Sequence, residues 1–228
     1  MFLLAVQIIE PAIAYTIGAA AMPLAAWTFA RFGLAEGGGP RNWSERSGVL
    51  IILVSVVFLA IVTTAGLSGF VRGGSGAAMV GIALAFCEGV LFTWLLVLCQ
   101  RLDQRGVSAS VVFGLRFPLY VLVAGALGAA GLDHKASMPS VEFAGIVLIG
   151  LLVIVPPLYA LQRALALIST LSISIITALG PFAIFVLQMG EGRVDYSPAT
   201  LIGLALFFAG SALAAVGVMR AARGEAVV

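Results

Sequence analysis

The strongest constraint on this chain is a succession of apolar runs too long for a soluble fold. Ala164–Gly190 and Ala199–Met219 are the clearest, and they flank a polar turn that holds Glu191, Arg193 and Asp195. Runs above about 18 apolar residues read as bilayer spans, since roughly 20 helical residues cross the hydrocarbon core. The strands of a membrane β-barrel would alternate polar and apolar side chains over about 10 residues, and these runs do not. Only 10% of the 228 residues are charged, against about a quarter in soluble domains. The expected fold class is all-α, a polytopic membrane helix bundle.

Seven spans are expected: Phe2–Ala21, Gly48–Phe70, Ala77–Gln100, Ser108–Gly131, Val141–Gln162, Ala164–Gly190 and Ala199–Met219. Trp27 and Phe32, between the first two, place part of Met22–Ser47 in the membrane interface. No basic residue precedes Arg31, so the start does not read as a secretory signal. One side of the bundle then collects Arg31, Arg41, Arg46, Arg101, Arg105, Arg163, Arg220 and Arg223. The other collects Arg72, Lys135 and Arg193. Positive charge marks the cytoplasmic face, so the C-terminus is expected in the cytoplasm and the N-terminus outside. A net charge of +2 with no basic stripe gives no footprint for nucleic acid.

Small residues and prolines shape the spans. Gly203, Gly210 and Gly217 recur every seventh residue and form a flat strip on one helix face, suited to packing within the chain or to a dimer contact. Pro11 and Pro181 each fall inside a span, and Pro156-Pro157 is the strongest expected helix break. It removes two backbone donors, which is tolerated at membrane depth where the backbone lines a cavity or is buried in protein. An internal echo links Glu10-Pro11, Gly48 and Ser55 to Gly180-Pro181, Gly203 and Ser211, in the same order and with opposite orientation. Inverted repeats of this kind build many secondary transporters.

Ionisable groups inside spans are Glu10, Glu88 and Arg116. Each would cost roughly 2.5–3.5 kcal/mol at the bilayer centre, so each should face protein or water. Glu88 lies about 18 Å and Arg116 about 12 Å from the cytoplasmic side, counting 1.5 Å per helical residue. The two can pair across neighbouring helices. Glu88 then reads as a proton or cation site and Arg116 as an anchor for a substrate carboxylate. The alternative is an ion pair that fixes helix register, or an arginine that snorkels to the interface. Glu10 either lines a cavity beside Pro11 or is hydrated near the outer surface. Tyr159 and Gln162 add polar groups beside Pro156-Pro157. Trp94, Tyr120 and Phe185 read as packing, and Cys87 and Cys99 as small apolar core residues. His134 falls in an outer loop. No CxxC, HExxH, GxxxxGK[ST] or GxSxG occurs, so no metal, cofactor or catalytic set is expected and the chain does not read as an enzyme.

Four stretches carry a resemblance to a known family: QRLDQRGVS at Gln100–Ser108, GLRFPLY at Gly114–Tyr120, VIVPPLYALQRAL at Val153–Leu165, and ITALGPFAIFVLQMGEGR leading into SPATLIGLALFFAGSALAAVG. In order and spacing they resemble the EamA-type drug/metabolite transporters, especially the amino-acid and metabolite exporters. By this resemblance Arg116 stands near the start of the second helix of a half, Pro181 is the proline of the fourth, Glu191 the acidic residue after it, and Gly203 opens the fifth. The family has ten helices in two inverted five-helix halves. Residues 77–222 resemble a complete second half, and residues 1–70 the last two helices of a first half that lacks its first three. Either the start at Met1 is misplaced or the chain is shortened. A second copy or a partner half would supply what is missing.

The resemblance implies a multi-pass carrier of a bacterial-type inner membrane, in contact with lipid. It would export small-molecule substrates such as amino acids by alternating access, with proton coupling through Glu88. The rival reading is a non-transporting membrane scaffold or partner subunit.

Overall fold

The computed structural model describes residues 1–34, 42–108, 110–112, 114–115, 122–123, 126, 139–165, 167, 180–192, 194–195 and 197–225. The named helices are α1 (Phe2–Ile8), α2 (Pro11–Arg31), α3 (Trp43–Thr64), α4 (Gly74–Gln104), α5 (Ser140–Leu165), α6 (Gly180–Glu191) and α7 (Pro198–Glu225). Among the described residues there is no strand, only an isolated antiparallel bridge from Ile9 to Val71. Two compact units form: Met1–Val97 with Ser169–Val228, and Leu98–Ile168. The first unit thus draws helices from both of the halves expected from sequence.

The first span is not the single helix Phe2–Ala21. Residues 2–31 are apolar almost throughout, so hydropathy alone lets a span slide along them. Proline settles the register: it lacks an N–H and sits without cost only at the start of a helix. Pro11 accordingly opens α2, which runs on to Arg31. Trp27 therefore stands in the last turns of α2. Upstream, α1 ends at Ile8, and Ile9 is extended. The ring centroids of Phe2 and Tyr15 lie 6.1 Å apart. A continuous helix would separate these positions by about 20 Å, so α1 folds back along α2 as a short hairpin.

The other elements lie close to the expected spans. Asn42 caps α3 by accepting from the Glu45 N–H at 2.9 Å, which starts that helix ahead of Gly48. It ends at Thr64, before Gly66 turns the chain at φ +70°. Ser197 caps α7 by accepting from the Thr200 N–H at 3.2 Å. The expected Ser108–Gly131 span and the first part of Ala164–Gly190 lie mostly outside the described residues. In the second unit α5 continues through Pro156 and Pro157 rather than breaking there. Among the described side chains of its apolar length, Val141–Leu161, none is buried.

In the first unit α2 is the central helix, with 72% of its span window buried against 33–39% for α3, α4 and α7. Its neighbours therefore each present one face to the bundle. The glycine strip of α7 packs on α3. A β-carbon at Gly203 would strike Leu59, one at Gly210 would lie 2.9 Å from Gly48 O, and one at Gly217 2.7 Å from Glu45 N. As numbering rises in α7 it falls in α3, so the two helices are antiparallel. Ser55 Oγ donates to Gly203 O at 2.7 Å, and Asn42 Nδ2 to Gly217 O at 2.7 Å, closing the seam with hydrogen bonds. Without a hydrophobic force between helices in lipid, this close approach is how such a pair gains contact energy.

The pair α2 and α6 is also antiparallel. Gly180 faces Tyr15, Ala12 packs with Phe185, and Gln188 reaches the Ala12 N–H. By contrast α4 runs alongside α2 in the same direction, with Gly89 against Gly18 O and Thr93 Oγ1 3.4 Å from Met22 O. Arg31, Arg46 and Arg220 fall at one end of this unit and Arg72 at the other.

Candidate functional site

Two groups of polar side chains lie within the first unit. The first surrounds the break between α1 and α2. Glu10 is 1% exposed there and does not cap its own helix. Its Oε2 accepts from Gly69 N at 3.0 Å and from Thr200 Oγ1 at 2.9 Å. Its Oε1 accepts from Gln188 Nε2. The other end of the same amide accepts from Ala12 N at 3.2 Å, so α6 satisfies a free donor in the first turn of α2. Arg72 N donates to Ile8 O at 2.8 Å and answers the end of α1. Ser197 Oγ donates to Leu67 O at 2.7 Å. One carboxylate therefore ties together the α1–α2 break, the α3–α4 loop, the end of α6 and the start of α7.

Glu10 is thus buried rather than hydrated at the surface, and three donors of the chain occupy it. Gly69 also lets the Asp195 backbone come close, since a β-carbon there would overlap Asp195 O. Sequence reading passed over Gln188, Thr200 and Gly69. Gln188 was the one to notice, as an amide set within the apolar stretch Pro181–Met189.

The second group centres on Glu88, half-buried on α4. No described residue hydrogen-bonds it. A β-carbon on Gly18 of α2 would lie 2.7 Å from its Oε2, so the carboxylate rests on the bare backbone of that helix. Tyr15 stands one turn from Gly18 on α2. The Tyr15 hydroxyl in turn lies against Gly180 of α6, where a β-carbon would come within 2.6 Å.

The remaining candidates scatter. Arg116 lies outside the described residues, and with it the expected pair with Glu88. Tyr159 is on α5 in the second unit, its hydroxyl 3.5 Å from Ser110 Oγ. Gln162 is on the same helix, with its side chain outside the described set. Pro156 and Pro157 are exposed there, whereas Pro181 is buried in the first turn of α6. Phe185 is core, 4% exposed. Cys99 is buried as expected of a core residue, but Cys87 is exposed, on the outward face of α4. Among the described residues no three of His, Cys, Asp and Glu gather as metal ligands would.

No family model, curated protein or solved structure matches the chain. What it is must therefore come from the helices themselves. Five of them are long and apolar enough to cross a membrane: Pro11–Arg31, Trp43–Thr64, Gly74–Gln104, Val141–Leu161 and Pro198–Arg220. That is the make-up of a multi-pass helical membrane protein.

Proposed function

We propose that the chain is a secondary carrier of the EamA type that moves small amphipathic metabolites, amino acids first among them, across an inner membrane by alternating access. The observation that carries this reading is the pairing of two similar helix pairs. Pro11 opens α2, which leads to α3, and Pro181 lies at the start of α6, which leads to α7. α2 packs antiparallel on α6, and α3 antiparallel on α7. A two-fold axis in the membrane plane relates pairs in this way, and inverted-repeat carriers bind substrate beside such an axis. The arginine asymmetry supports a cytoplasmic C-terminus. A second copy or a partner half, completing the expected ten helices, belongs to the same proposal.

One observation favours the scaffold reading. Glu10 accepts three hydrogen bonds from its own chain, as a structural tie should. Flux separates the two. The full chain reconstituted in proteoliposomes should exchange internal for external radiolabelled amino acids faster than protein-free vesicles. Absence of exchange across the common amino acids, from protein that remains folded, refutes the carrier.

A further inference from the structure

The two faces of α3 meet different surroundings. Gly48, Ile52, Ser55 and Leu59 turn toward α7 and the core. At about 100° per residue, Trp43, Arg46, Leu50, Val54, Val57 and Ile61 form a stripe about 160° away from that seam. Trp43 is 80% exposed and the four aliphatic side chains are each more than half exposed; Arg46 is exposed as well. The stripe therefore has a polar head, an indole and a guanidinium in the first turns of the helix, and an apolar tail. From Arg46 to Val57 it runs about 16 Å, close to one leaflet of a hydrocarbon core about 30 Å thick. The level of the head is fixed by α2. Ala19, Ala20 and Ile52 pack in one cluster, and Trp27 lies as far beyond Ala20 as Arg46 lies before Ile52, to within a residue. Both thus stand about 10 Å toward the same end, where two exposed indoles suit a membrane–water interface. Arg31 and Arg220 are exposed at that end too, whereas Glu45, the acid among the described side chains of this unit there, is buried. At the opposite end the exposed Arg72 is offset by the exposed Asp195.

We propose that this stripe of α3 is a binding site for an anionic phospholipid, its phosphodiester on Arg46 beside the Trp43 indole and an acyl chain along Leu50, Val54 and Val57. Charge selects this occupant. A guanidinium offers a fork of donors that matches phosphate oxygens, and Arg31 and Arg220 add to a positive end that attracts a negative headgroup. A second copy in the same membrane orientation, joined through this stripe by a two-fold axis along the membrane normal, would set Arg46 against Arg46. The site does not rest on the carrier reading; it requires only that α3 spans a bilayer.

The test is quenching of Trp43 fluorescence in the full chain carrying Trp27→Phe and Trp94→Phe, reconstituted in phosphatidylcholine vesicles. A small fraction of the lipid is brominated high in its acyl chains, as phosphatidylglycerol in one series and as phosphatidylcholine in the other. Phosphatidylglycerol should quench with an apparent affinity about fivefold higher, the attraction of one arginine for an anionic headgroup. Arg46→Gln should bring the two lipids close to equality, Arg46→Lys should keep most of the preference, and Arg72→Gln, at the other end, should leave it unchanged. Molar salt should shrink the preference in the unaltered chain. Equal quenching by the two lipids, an undiminished preference in Arg46→Gln, or the same loss in Arg72→Gln would each overturn the site. So would a Trp43 shielded from both brominated lipids, which would give the face to protein. Amino-acid flux without this lipid preference removes the site and leaves the carrier standing; the preference without flux does the reverse.

Discussion

Exchanging Glu10 and Gln188 probes how the α1–α2 break is held. Gln188 is used at both ends, donating from Nε2 to Glu10 and accepting at Oε1 from Ala12 N. Glu10→Gln therefore meets a conflict. If its new amide points NH2 at Gln188, two donors face each other. If it points NH2 the other way, it opposes Gly69 N. Rotating Gln188 instead strips Ala12 N of its acceptor. Every arrangement leaves one buried donor unanswered, at about 1–3 kcal/mol, and the surviving bonds lose their charge assistance. The expected cost is about 2–4 kcal/mol on those same terms. Gln188→Glu alone sets two carboxylates within hydrogen-bonding distance and should cost a similar amount, because one must take up a proton.

The double exchange answers every donor again. The new carboxylate at position 188 accepts from Ala12 N and from the new amide at position 10. The oxygen of that amide takes Gly69 N and Thr200 Oγ1. The pair should therefore recover at least about 2 kcal/mol of the summed single costs, a coupling typical of contacting residues. Titration with a denaturing detergent in mixed micelles, followed by tryptophan fluorescence, measures all four free energies. Additive losses in the double variant would refute the polarised network and leave packing alone to hold the break.

Two further outcomes are expected of the first unit and its neighbour. Gly48→Ala should destabilise by about 1–3 kcal/mol through overpacking, since its β-carbon would lie 2.5 Å from Ala214 N. Gly145→Ala, on the open surface of α5, should be neutral or stabilise by up to about 1 kcal/mol; the reverse order in a thermal melt would contradict the close α3–α7 seam. In a chain with Cys87 and Cys99 replaced, F2C with Y15C should react with a bismaleimide shorter than about 10 Å. A continuous helix would hold those positions about 20 Å apart, so failure to crosslink argues against the α1 hairpin.

The sequence by itself determined that the chain consists of apolar helices of bilayer length, because composition and run length admit little else. It also marked the face of α7 that packs closely, since a seven-residue glycine step needs no partner to be recognised. It could not say which helix fills that face, and the tertiary structure chose α3, whose Asn42, Gly48, Ser55 and Leu59 match the strip. Hydropathy left the first span free to slide along the largely apolar residues 2–31. Pro11 carried the local hint, but the groups that make a break there tolerable, Gln188 and Thr200, stand 178 and 190 residues away. Glu88 shows the same limit. Depth along the helices pointed to Arg116, which lies outside the described residues; what the fold adds is Gly18 of a distant helix against the carboxylate. Apolar length is a property of consecutive residues, but the donor that meets a buried carboxylate is decided only when distant helices pack.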